Sequence, residues 1–448
     1  MDRRSFIKGA AAAFAMPLIY RGSLFGVGNS GPNSRCNVGV IGCGSQAAGH
    51  LNAVLSMPNA VLAAVCDVDD RRLKYWSEKG ERRYKDQGLS GVKPKTFKDF
   101  RELLADPSID AVYVTTPDHW HAYICIMAAR AGKAIYCEKP MTFTIEEARM
   151  VTDAVRKARV VFQVGSQQRS QESFRHAAQL ARNGRLGKIK NVWVGLNYGL
   201  ATTKNWEYEA VPEGIDWDMW CGPAPYNPYS QQLLPLLKGF DAPYAGMIAS
   251  QWRDHIDYGN SNQADFGAHH YDIALWGLGL DGKGPKRVVV SDRGDIPGLQ
   301  NWRQYYYETE DGVKIYKGKP DKSVCPVEYP VIFEGEEGVV AADRGGMEKF
   351  WGSKEYYKDL KNMDGDEVYF KSPENNHRDN FFQAVFTGSP TVAPVEGGRS
   401  SAEISIMGNI AFRLGRTLEW DWNAGEFLGD PEANRLRSRP SRGEWALI

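Results

Sequence analysis

The 448-residue sequence has no net charge, no closely spaced cysteine pair and no long apolar run, and each absence excludes a class of protein. The 55 Lys and Arg residues balance 55 Asp and Glu residues, so no overall positive field would hold nucleic-acid phosphates. Seven scattered cysteines without a CxxC pair disfavour a disulfide framework and a cysteine-based zinc site. No stretch approaches the roughly 20 apolar residues of a membrane span. A globular protein of two or three domains with small-molecule partners remains.

Residues 1–34 have the pattern of a targeting segment. The pair Arg3 and Arg4 precedes a short alanine-rich apolar run at 9–20, which is typical of a twin-arginine (Tat) export signal. The rest of the segment is rich in Gly, Ser and Asn, as expected of a linker or cleavage region. An ordinary amphipathic helix is the alternative. We expect the fold to begin near Arg35 and the mature protein to be periplasmic or otherwise exported, without a membrane span.

A glycine-rich turn follows the first apolar run of the expected fold. Residues 37–41 predict a buried strand, and the sequence GCGSQA comes directly after it. This is the G-x-G-x-x-A pattern of a dinucleotide-binding turn. Gly42 permits the tight turn, and Gly44 lets the backbone approach a pyrophosphate. Ser45 and Gln46 open the next helix, whose N-terminal N–H groups would bind the phosphates.

An acidic residue ends the second apolar run, residues 61–66. A carboxylate such as Asp67 at this place hydrogen-bonds the ribose hydroxyls of the adenosine and disfavours a 2′-phosphate. A helix N-cap is the alternative role for Asp67. Because Arg71 and Arg72 follow closely, NADP stays open, and NAD is the expected cofactor.

Strand and helix patterns then alternate up to residue 164. The remaining strands named from the pattern are at 111–115, 134–137 and, as the sixth strand, 160–164, with helices at 98–105, 118–131 and 146–158. This order predicts an α/β fold class with an N-terminal Rossmann domain, a doubly wound parallel sheet, over residues 35–164.

Two loops at the ends of predicted strands carry polar side chains. Thr116, Pro117 and His121 follow one strand, and Glu138 with Lys139 follows the next along the chain. Since cofactors in such sheets bind at the carboxyl ends of the strands, we expect these residues to face the nicotinamide half of the cofactor. Capping or packing is an alternative role for His121.

Six short motifs match one known family. They are EKP at 138–140, TP with His121, GSQQR at 165–169, WDMWCGP at 217–223, DFGAHHYD at 265–272 and NHRDNF at 376–381. Together they resemble the Gfo/Idh/MocA oxidoreductases, the glucose–fructose oxidoreductase and inositol dehydrogenase family, and WDMWCGP is similar to its exported members. The resemblance implies a second α+β domain over residues 165–448, with a large, mostly antiparallel open sheet and C-terminal helices. It also implies a homo-oligomer that assembles through that sheet, and a cis peptide before Pro140.

The resemblance implies a catalytic set as well, because the matching Lys, Asp and His act together in related inositol dehydrogenases. Oxidation of a hydroxyl needs a base and a group that stabilises the developing alkoxide. Asp265 and His269 are four residues apart and would share a helix face, where the carboxylate would orient the imidazole. We assign His269 as the base and Lys139 as proton relay or electrostatic partner; the roles of these two residues could be exchanged.

The histidine pair leaves alternatives open. His269 could be a core histidine, and a metal site from His269, His270 and Asp272 is conceivable. Adjacent histidines on a helix point in different directions, so we expect no metal. We expect His270 to contact substrate or to support the residues that do.

Trp and Tyr residues are concentrated over residues 193–258, interleaved with Arg, Asn and Gln. Aromatic faces beside fixed polar groups suit carbohydrate rings, although core packing explains many of these residues equally well. Arg169, Trp252 and Arg253 are candidate substrate contacts.

The sequence therefore predicts an NAD(P)-dependent oxidoreductase that acts on a hydroxyl group of a sugar or glycoside. One alternative is a glycosidase in which bound NAD oxidises the sugar transiently and is regenerated. Another is a non-catalytic carbohydrate-binding or sensory protein on a Rossmann scaffold. The presence of Glu138, Lys139, Asp265 and His269 favours the dehydrogenase.

Overall fold

The computed structural model describes residues 35–196, 201–203, 206–235, 251–291, 304–325, 330–345, 348–351 and 376–445. The predicted export signal at residues 1–34 lies outside these ranges, as do Tyr198 and Tyr244 of the aromatic-rich region.

The N-terminal domain is a six-stranded parallel sheet with helices on its faces. Its strands are β1 (Cys36–Ile41), β2 (Ala60–Cys66), β3 (Lys95–Phe97), β4 (Ala111–Val114), β5 (Ala134–Cys137) and β6 (Phe162–Val164). Its helices are α1 (Ser45–Val54), α2 (Asp70–Asp86), α3 (Phe100–Ala105), α4 (Asp118–Arg130) and α5 (Ile145–Ala158). The strand order β3-β2-β1-β4-β5-β6 reverses direction between β1 and β4, where doubly wound sheets bind their ligands. The predicted Rossmann fold is confirmed.

One strand has no counterpart among the runs identified in the sequence. The β3 strand is only three residues long, lies at the sheet edge and exposes two of its side chains. Hydrophobic periodicity detects strands with a buried face, so this strand gives no signal.

The C-terminal domain is built on a nine-stranded sheet in the order β13-β12-β11-β7-β10-β9-β8-β14-β15. The strands are β7 (Ile189–Val194), β8 (Arg287–Ser291), β9 (Gln304–Glu308), β10 (Lys314–Lys317), β11 (Val331–Gly335), β12 (Val339–Ala342), β13 (Glu348–Trp351), β14 (Leu418–Asp421) and β15 (Glu426–Phe427). The pair β7 and β10 is parallel, and the other described pairs are antiparallel. The mostly antiparallel sheet is thus confirmed.

Three helices, over residues 172–182, 267–278 and 395–414, cover one face of this sheet. The described helices of this domain are α6 (Glu172–Arg182), α7 (Trp217–Cys221), α8 (Ser261–Asp265), α9 (Gly267–Leu278), α10 (His377–Thr387), α11 (Val395–Leu414) and α12 (Pro431–Arg435). Helix α9 packs between α6 and α11, and eleven of its twelve residues are buried. A helix buried all round lies in the domain interior, so α9 carries its histidines into the core.

The opposite face of the sheet carries Trp193 stacked on Tyr316, with ring centroids 4.4 Å apart. Ile332 and Ala341 extend this apolar layer and are fully buried within the single chain. Assembly of a homo-oligomer through this sheet stays a prediction. Among the described residues, no helix is both long and apolar enough to cross a membrane.

The NHRDNF motif joins the two domains. Asn376 caps α10 by accepting hydrogen bonds from the next backbone N–H groups. The two ring nitrogens of His377 contact the Val164 carbonyl (2.7 Å) and the Ser170 hydroxyl (2.8 Å), and the Gln163 amide donates to the His377 carbonyl. The start of α10 is therefore fixed to the last Rossmann strand.

Candidate active site

An open cleft lies at the carboxyl ends of the Rossmann strands, between the two domains. Nine of the ten predicted cofactor residues line it: Gly42, Gly44, Ser45, Gln46, Asp67, Thr116, Pro117, Glu138 and Lys139. The predicted substrate contacts Trp252 and Arg253 also lie on its wall, together with Trp220 and Leu234. Its lining extends from the glycine turn to Lys139 and mixes apolar and polar groups, as in a ligand site.

The glycine turn leaves no room for side chains. Gly42 has φ +86°, and a β-carbon there would lie 2.7 Å from the Thr116 nitrogen. The Thr115 hydroxyl donates to the Gly42 carbonyl and fixes the turn. Helix α1 then begins at Ser45 with no acidic residue in its first turn and no side-chain cap at Gly44. No acidic side chain in the first turn competes for the N–H groups at the start of α1, so they are suited to bind a pyrophosphate.

Asp67 is held rigidly at the cleft wall. One carboxylate oxygen accepts from the Cys43 N–H (2.6 Å) and the other from the Asp69 N–H (3.0 Å). Burial raises the pKa of Asp67, while Arg72 at 3.8 Å and the two backbone donors oppose that rise. The N-cap of α2 is Asp69, so the capping role considered for Asp67 does not apply. A carboxylate oriented in this way fits the ribose hydroxyls of NAD.

Glu138 is the end of a chain of hydrogen bonds that crosses the domains. The Arg378 Nε donates to His50 Nδ1 (3.0 Å), which leaves His50 Nε2 to donate to Glu138 (2.8 Å). The Gln167 amide donates to the same Glu138 oxygen. Burial alone would raise the pKa of Glu138, but the His50 contact lowers it to about 2. The side chain is therefore a carboxylate throughout the physiological range.

Sequence reasoning missed His50, Gln167 and Arg378. Arg378 lies within the NHRDNF motif and Gln167 within GSQQR, so the motifs pointed to these segments. His50 gave no signal beyond its place on α1, because its partners are 88 and 328 residues away.

Lys139 and Asp265 form an ion pair at the end of the cleft. The Lys139 ammonium donates to the Asp265 carboxylate and to its backbone carbonyl. Arg253 Nε lies 3.4 Å from the same carboxylate, and its guanidinium stacks on Trp252, 4.4 Å from the ring centroid. Burial alone would raise the pKa of Asp265, but Lys139 and Arg253 lower it. The predicted cis peptide Lys139-Pro140 is confirmed.

The predicted contact between Asp265 and His269 is wrong. Helix α8 ends at Asp265 and α9 begins at Gly267, so the two residues do not share one continuous helix face. The Asp265 carboxylate turns to Lys139 instead, and His269 Nδ1 is buried without a hydrogen-bond partner among the described residues. Burial, followed by the charges of Lys139 and Arg344, lowers the pKa of His269 well below its ordinary value. The imidazole is neutral and can accept a hydrogen bond.

His270 faces another way from His269. Its Nδ1 donates to the Gly195 carbonyl (3.0 Å), and its Nε2 is buried with no partner among the described residues. Burial, together with the Arg344 charge, lowers the pKa of His270 to about 3. Asp272, the third residue of the conceivable metal site, binds Arg169 instead. The described part of the chain contains no group of three side chains suited to a metal ion.

Arg169, predicted as a substrate contact, is a buried structural residue, and that prediction is wrong. Its guanidinium is 1% exposed. All five of its N–H groups are used by Asp272, Asp281 and the Val392 carbonyl. The short helical turn 167–170 directs the side chain away from the cleft and into the C-terminal domain. Its carboxylate partners are more than 100 residues away in the sequence, so no local pattern indicated this role.

His121 connects the loops that follow β4 and β5 and does not line the cleft. Its ring nitrogens lie 2.7 Å from the Pro140 carbonyl and 2.9 Å from the Thr116 carbonyl, and the side chain is almost fully buried. Burial lowers its pKa. The direct cofactor contact predicted for His121 is therefore corrected to a positioning role, which agrees with the packing alternative.

Asp118 lines the same cleft and was missed by sequence reasoning. It is the first residue of α4, directly after Pro117, and only 4% of it is exposed. Burial and the nearby Asp265 raise its pKa well above the ordinary value, against the charges of Arg253 and Lys139. Its place inside the TPDHWH segment was the available signal.

Comparisons with known proteins agree with this geometry. A model described as "Oxidoreductase family, NAD-binding Rossmann fold" matches residues 36–166, and one described as "Oxidoreductase family, C-terminal alpha/beta domain" matches residues 180–447. Myo-inositol 2-dehydrogenase of Thermotoga maritima is 31% identical over 151 residues, which is 34% of this chain and 42% of that protein. Levoglucosan dehydrogenase of Pseudarthrobacter phenanthrenivorans is 34% identical over 157 residues, which is 34% of this chain and 38% of that protein. The chain thus spans about two fifths of the length of these curated relatives.

Solved structures share the fold. The WlbA dehydrogenase from Bordetella pertussis, in complex with NADH and UDP-GlcNAcA, superposes with a TM-score of 0.56 at 16% identity. The superposition covers 86% of this chain and 98% of that one. At this identity the similarity establishes the fold alone.

Proposed function

The chain belongs to the Gfo/Idh/MocA oxidoreductase family, and we propose that it oxidises a hydroxyl group of a sugar or glycoside with NAD as the acceptor. The observation that carries the proposal is the Lys139–Asp265 ion pair at one end of a dinucleotide cleft. Bound NAD would supply the hydride-accepting nicotinamide. The protein has to bind it, orient the sugar hydroxyl beside it and remove the hydroxyl proton.

The cofactor would be held from both ends of the cleft. The backbone at Gly42 and Gly44 and the N-terminus of α1 would bind the pyrophosphate, and Asp67 would accept hydrogen bonds from the adenosine ribose. Thr116 and Glu138 line the other half of the cleft. This arrangement favours NAD, because Asp67 repels a 2′-phosphate. Arg72 lies 3.7 Å from Asp69 and 3.8 Å from Asp67, so carboxylates already offset its charge.

Lys139 and His269 have different roles at the sugar hydroxyl group. The Lys139 ammonium, fixed by Asp265, stabilises negative charge that develops on the sugar oxygen. The neutral His269 imidazole accepts the hydroxyl proton. Asp265 positions Lys139 and does not hold the His269 ring. The arrangement therefore differs from the carboxylate–imidazole pair expected from the sequence.

A carbohydrate substrate is supported by the surroundings of the ion pair. The Trp252 ring offers an apolar face to sugar C–H groups. The buried nitrogens of His269 and His270 that lack partners among the described residues are acceptors suited to sugar hydroxyls. The named relatives act on inositol and levoglucosan, both cyclic polyhydroxyl compounds.

Absorbance at 340 nm tests the proposal directly. Purified protein with NAD is incubated with a panel of sugars, inositols and glycosides, and the products are identified by NMR. We expect NADH and a ketone in equal amounts with at least one compound. Cleavage of a glycoside without net NADH would instead indicate the glycosidase mechanism. A protein that neither retains nor binds a nicotinamide nucleotide would contradict both enzymatic functions.

We also propose that residues 1–34 direct export through the twin-arginine pathway. The support is the sequence pattern around Arg3 and Arg4. In cell fractionation, the wild-type chain should reach the periplasm, and the double variant Arg3→Lys, Arg4→Lys should remain in the cytoplasm. Equal export of the two proteins would contradict the proposal.

A further inference from the structure

Three cationic side chains surround the Asp265 carboxylate. Lys139 and Arg253 are its ion-pair partners. The third is Arg344, two residues after the end of β12, whose charge interacts with Asp265. Two further carboxylates lie in this charge cluster: Asp118, on which Asp265, Arg253 and Lys139 act, and Glu138, on which Lys139 acts. Lys139 and Arg253 are already paired with Asp265, so Arg344 is the cation of this cluster that has no ion-pair partner among the described residues.

Arg344 is oriented by contacts that leave most of its guanidinium unused. Its Cζ lies 4.8 Å from the Phe266 ring centroid. In the orientation of the Gln168 amide that satisfies both its oxygen and its nitrogen, the oxygen accepts a hydrogen bond from Arg344 Nε (3.0 Å). The nitrogen donates a hydrogen bond to the His269 backbone carbonyl (3.3 Å). Among the described residues, no carboxylate forms an ion pair with Arg344 and no acceptor contacts its terminal nitrogens. Its neighbour Asp343 accepts from the Gly345 N–H instead.

Arg344 lies near the histidines that are proposed to contact the sugar hydroxyls. Gln168 connects it to His269, and its charge acts on both His269 and His270. The Phe266 ring on which it stacks is 41% exposed, so this side of the site faces solvent. The terminal N–H groups of a guanidinium that is open to solvent and stacked on an aromatic ring are suited to bidentate binding of a carboxylate or phosphate.

We propose that the substrate is a sugar that carries an anionic group, a carboxylate or a phosphate ester, and that Arg344 binds this group. The inference rests on the proposed function and narrows its substrate class. The terminal N–H groups of Arg344 would bind the anionic group and so select such a sugar over the neutral sugar of the same configuration.

Matched sugars test this inference. For wild-type protein with NAD, kcat/KM is measured for glucose, glucuronate and glucose 6-phosphate, and for the corresponding galactose compounds. We expect at least one anionic sugar to exceed its neutral counterpart at least tenfold, and the better of the uronate and the phosphate identifies the anion. In Arg344→Gln the ratio of kcat/KM for the anionic sugar to kcat/KM for its neutral counterpart should fall at least tenfold. Arg82→Gln, which removes an exposed arginine of α2, is the matched control and should keep the preference.

Equal kcat/KM for neutral and anionic sugars in the wild-type protein, or an equal loss for both in Arg344→Gln, would overturn the inference. Calorimetric titration of glucuronate and glucose 6-phosphate into the NAD-loaded protein separates it from the proposed function. Binding that weakens at least tenfold in Arg344→Gln, without turnover of any sugar, would support the anionic site and contradict the oxidoreductase. If neither glucuronate nor glucose 6-phosphate binds, the inference is overturned, even if neutral sugars are oxidised.

Discussion

Lys139 and Asp265 are 126 residues apart in the sequence and form an ion pair between the end of a Rossmann strand and a short helix of the second domain. The pair places a cation from the cofactor-binding domain against a carboxylate from the substrate domain. Any change in the relative position of the domains would separate the two charges. The active site therefore depends on the interface as much as on either domain.

Asp265→Asn should reduce kcat while leaving cofactor binding intact. The amide cannot neutralise Lys139, so the ammonium loses the partner that fixes its position, and we expect kcat to fall by about ten- to a hundredfold. The dissociation constant for NADH, measured by fluorescence, should change less than threefold. The control is Asp254→Asn, an exposed carboxylate in the neighbouring helical turn. Wild-type kcat in Asp265→Asn would show that the ion pair has no role in turnover.

Asp67→Asn should weaken NAD binding and reduce the preference for NAD over NADP. The variant keeps the size of the side chain but removes the charge that binds ribose hydroxyls and repels a 2′-phosphate. We expect the dissociation constant for NAD to rise about tenfold and that for NADP to stay constant or fall. Asp86→Asn, at the exposed end of α2, is the control. An unchanged ratio of the two dissociation constants would contradict the assignment of Asp67.

Glu138 should make the protein sensitive to acid. Its folded-state pKa of about 2 lies below the ordinary value of 4.5, so its stabilising contribution is present above pH 4.5 and is lost as the pH falls towards 2. Between pH 6.5 and 3.5 this residue should account for about 1 kcal/mol of the fall in unfolding free energy. Urea titrations of the wild type and Glu138→Gln at both pH values measure it, with Glu207→Gln, an exposed carboxylate, as control. The same fall in the wild type and Glu138→Gln would be evidence against the shifted pKa.

Arg169→Lys should destabilise the protein without changing substrate affinity. Lysine cannot satisfy Asp272 and Asp281 together, and a buried carboxylate that loses its partner costs about 3–5 kcal/mol. The melting temperature should fall clearly, while KM of the folded variant stays within threefold. A large rise in KM at unchanged melting temperature would restore the predicted substrate contact.

Sequence patterns located the cofactor half of the site because its residues act through local backbone geometry. The positive φ of Gly42 and the start of helix α1 at Ser45 are each indicated by the residues directly around them. The corresponding motifs therefore predict the cofactor side of the cleft and the fold class.

The contacts between distant segments could not be predicted in the same way. The bond from Arg378 to His50 spans 328 residues, and Arg169 finds its carboxylates more than 100 residues away. The spacing of Asp265 and His269 assumed one continuous helix, but the chain forms two helices separated at Phe266. A four-residue spacing indicates a shared face only where the helix is unbroken.

The most direct test of the account is single-turnover formation of NADH by the wild type and Lys139→Ala, with Lys157→Ala as the exposed-lysine control. NADH binding is measured on the same samples by fluorescence. We predict that Lys139→Ala binds NADH within threefold of the wild type, and forms NADH from the best sugar about a hundred- to ten-thousandfold more slowly. Formation of NADH at the wild-type rate by Lys139→Ala would contradict the central claim that this lysine acts on the sugar hydroxyl.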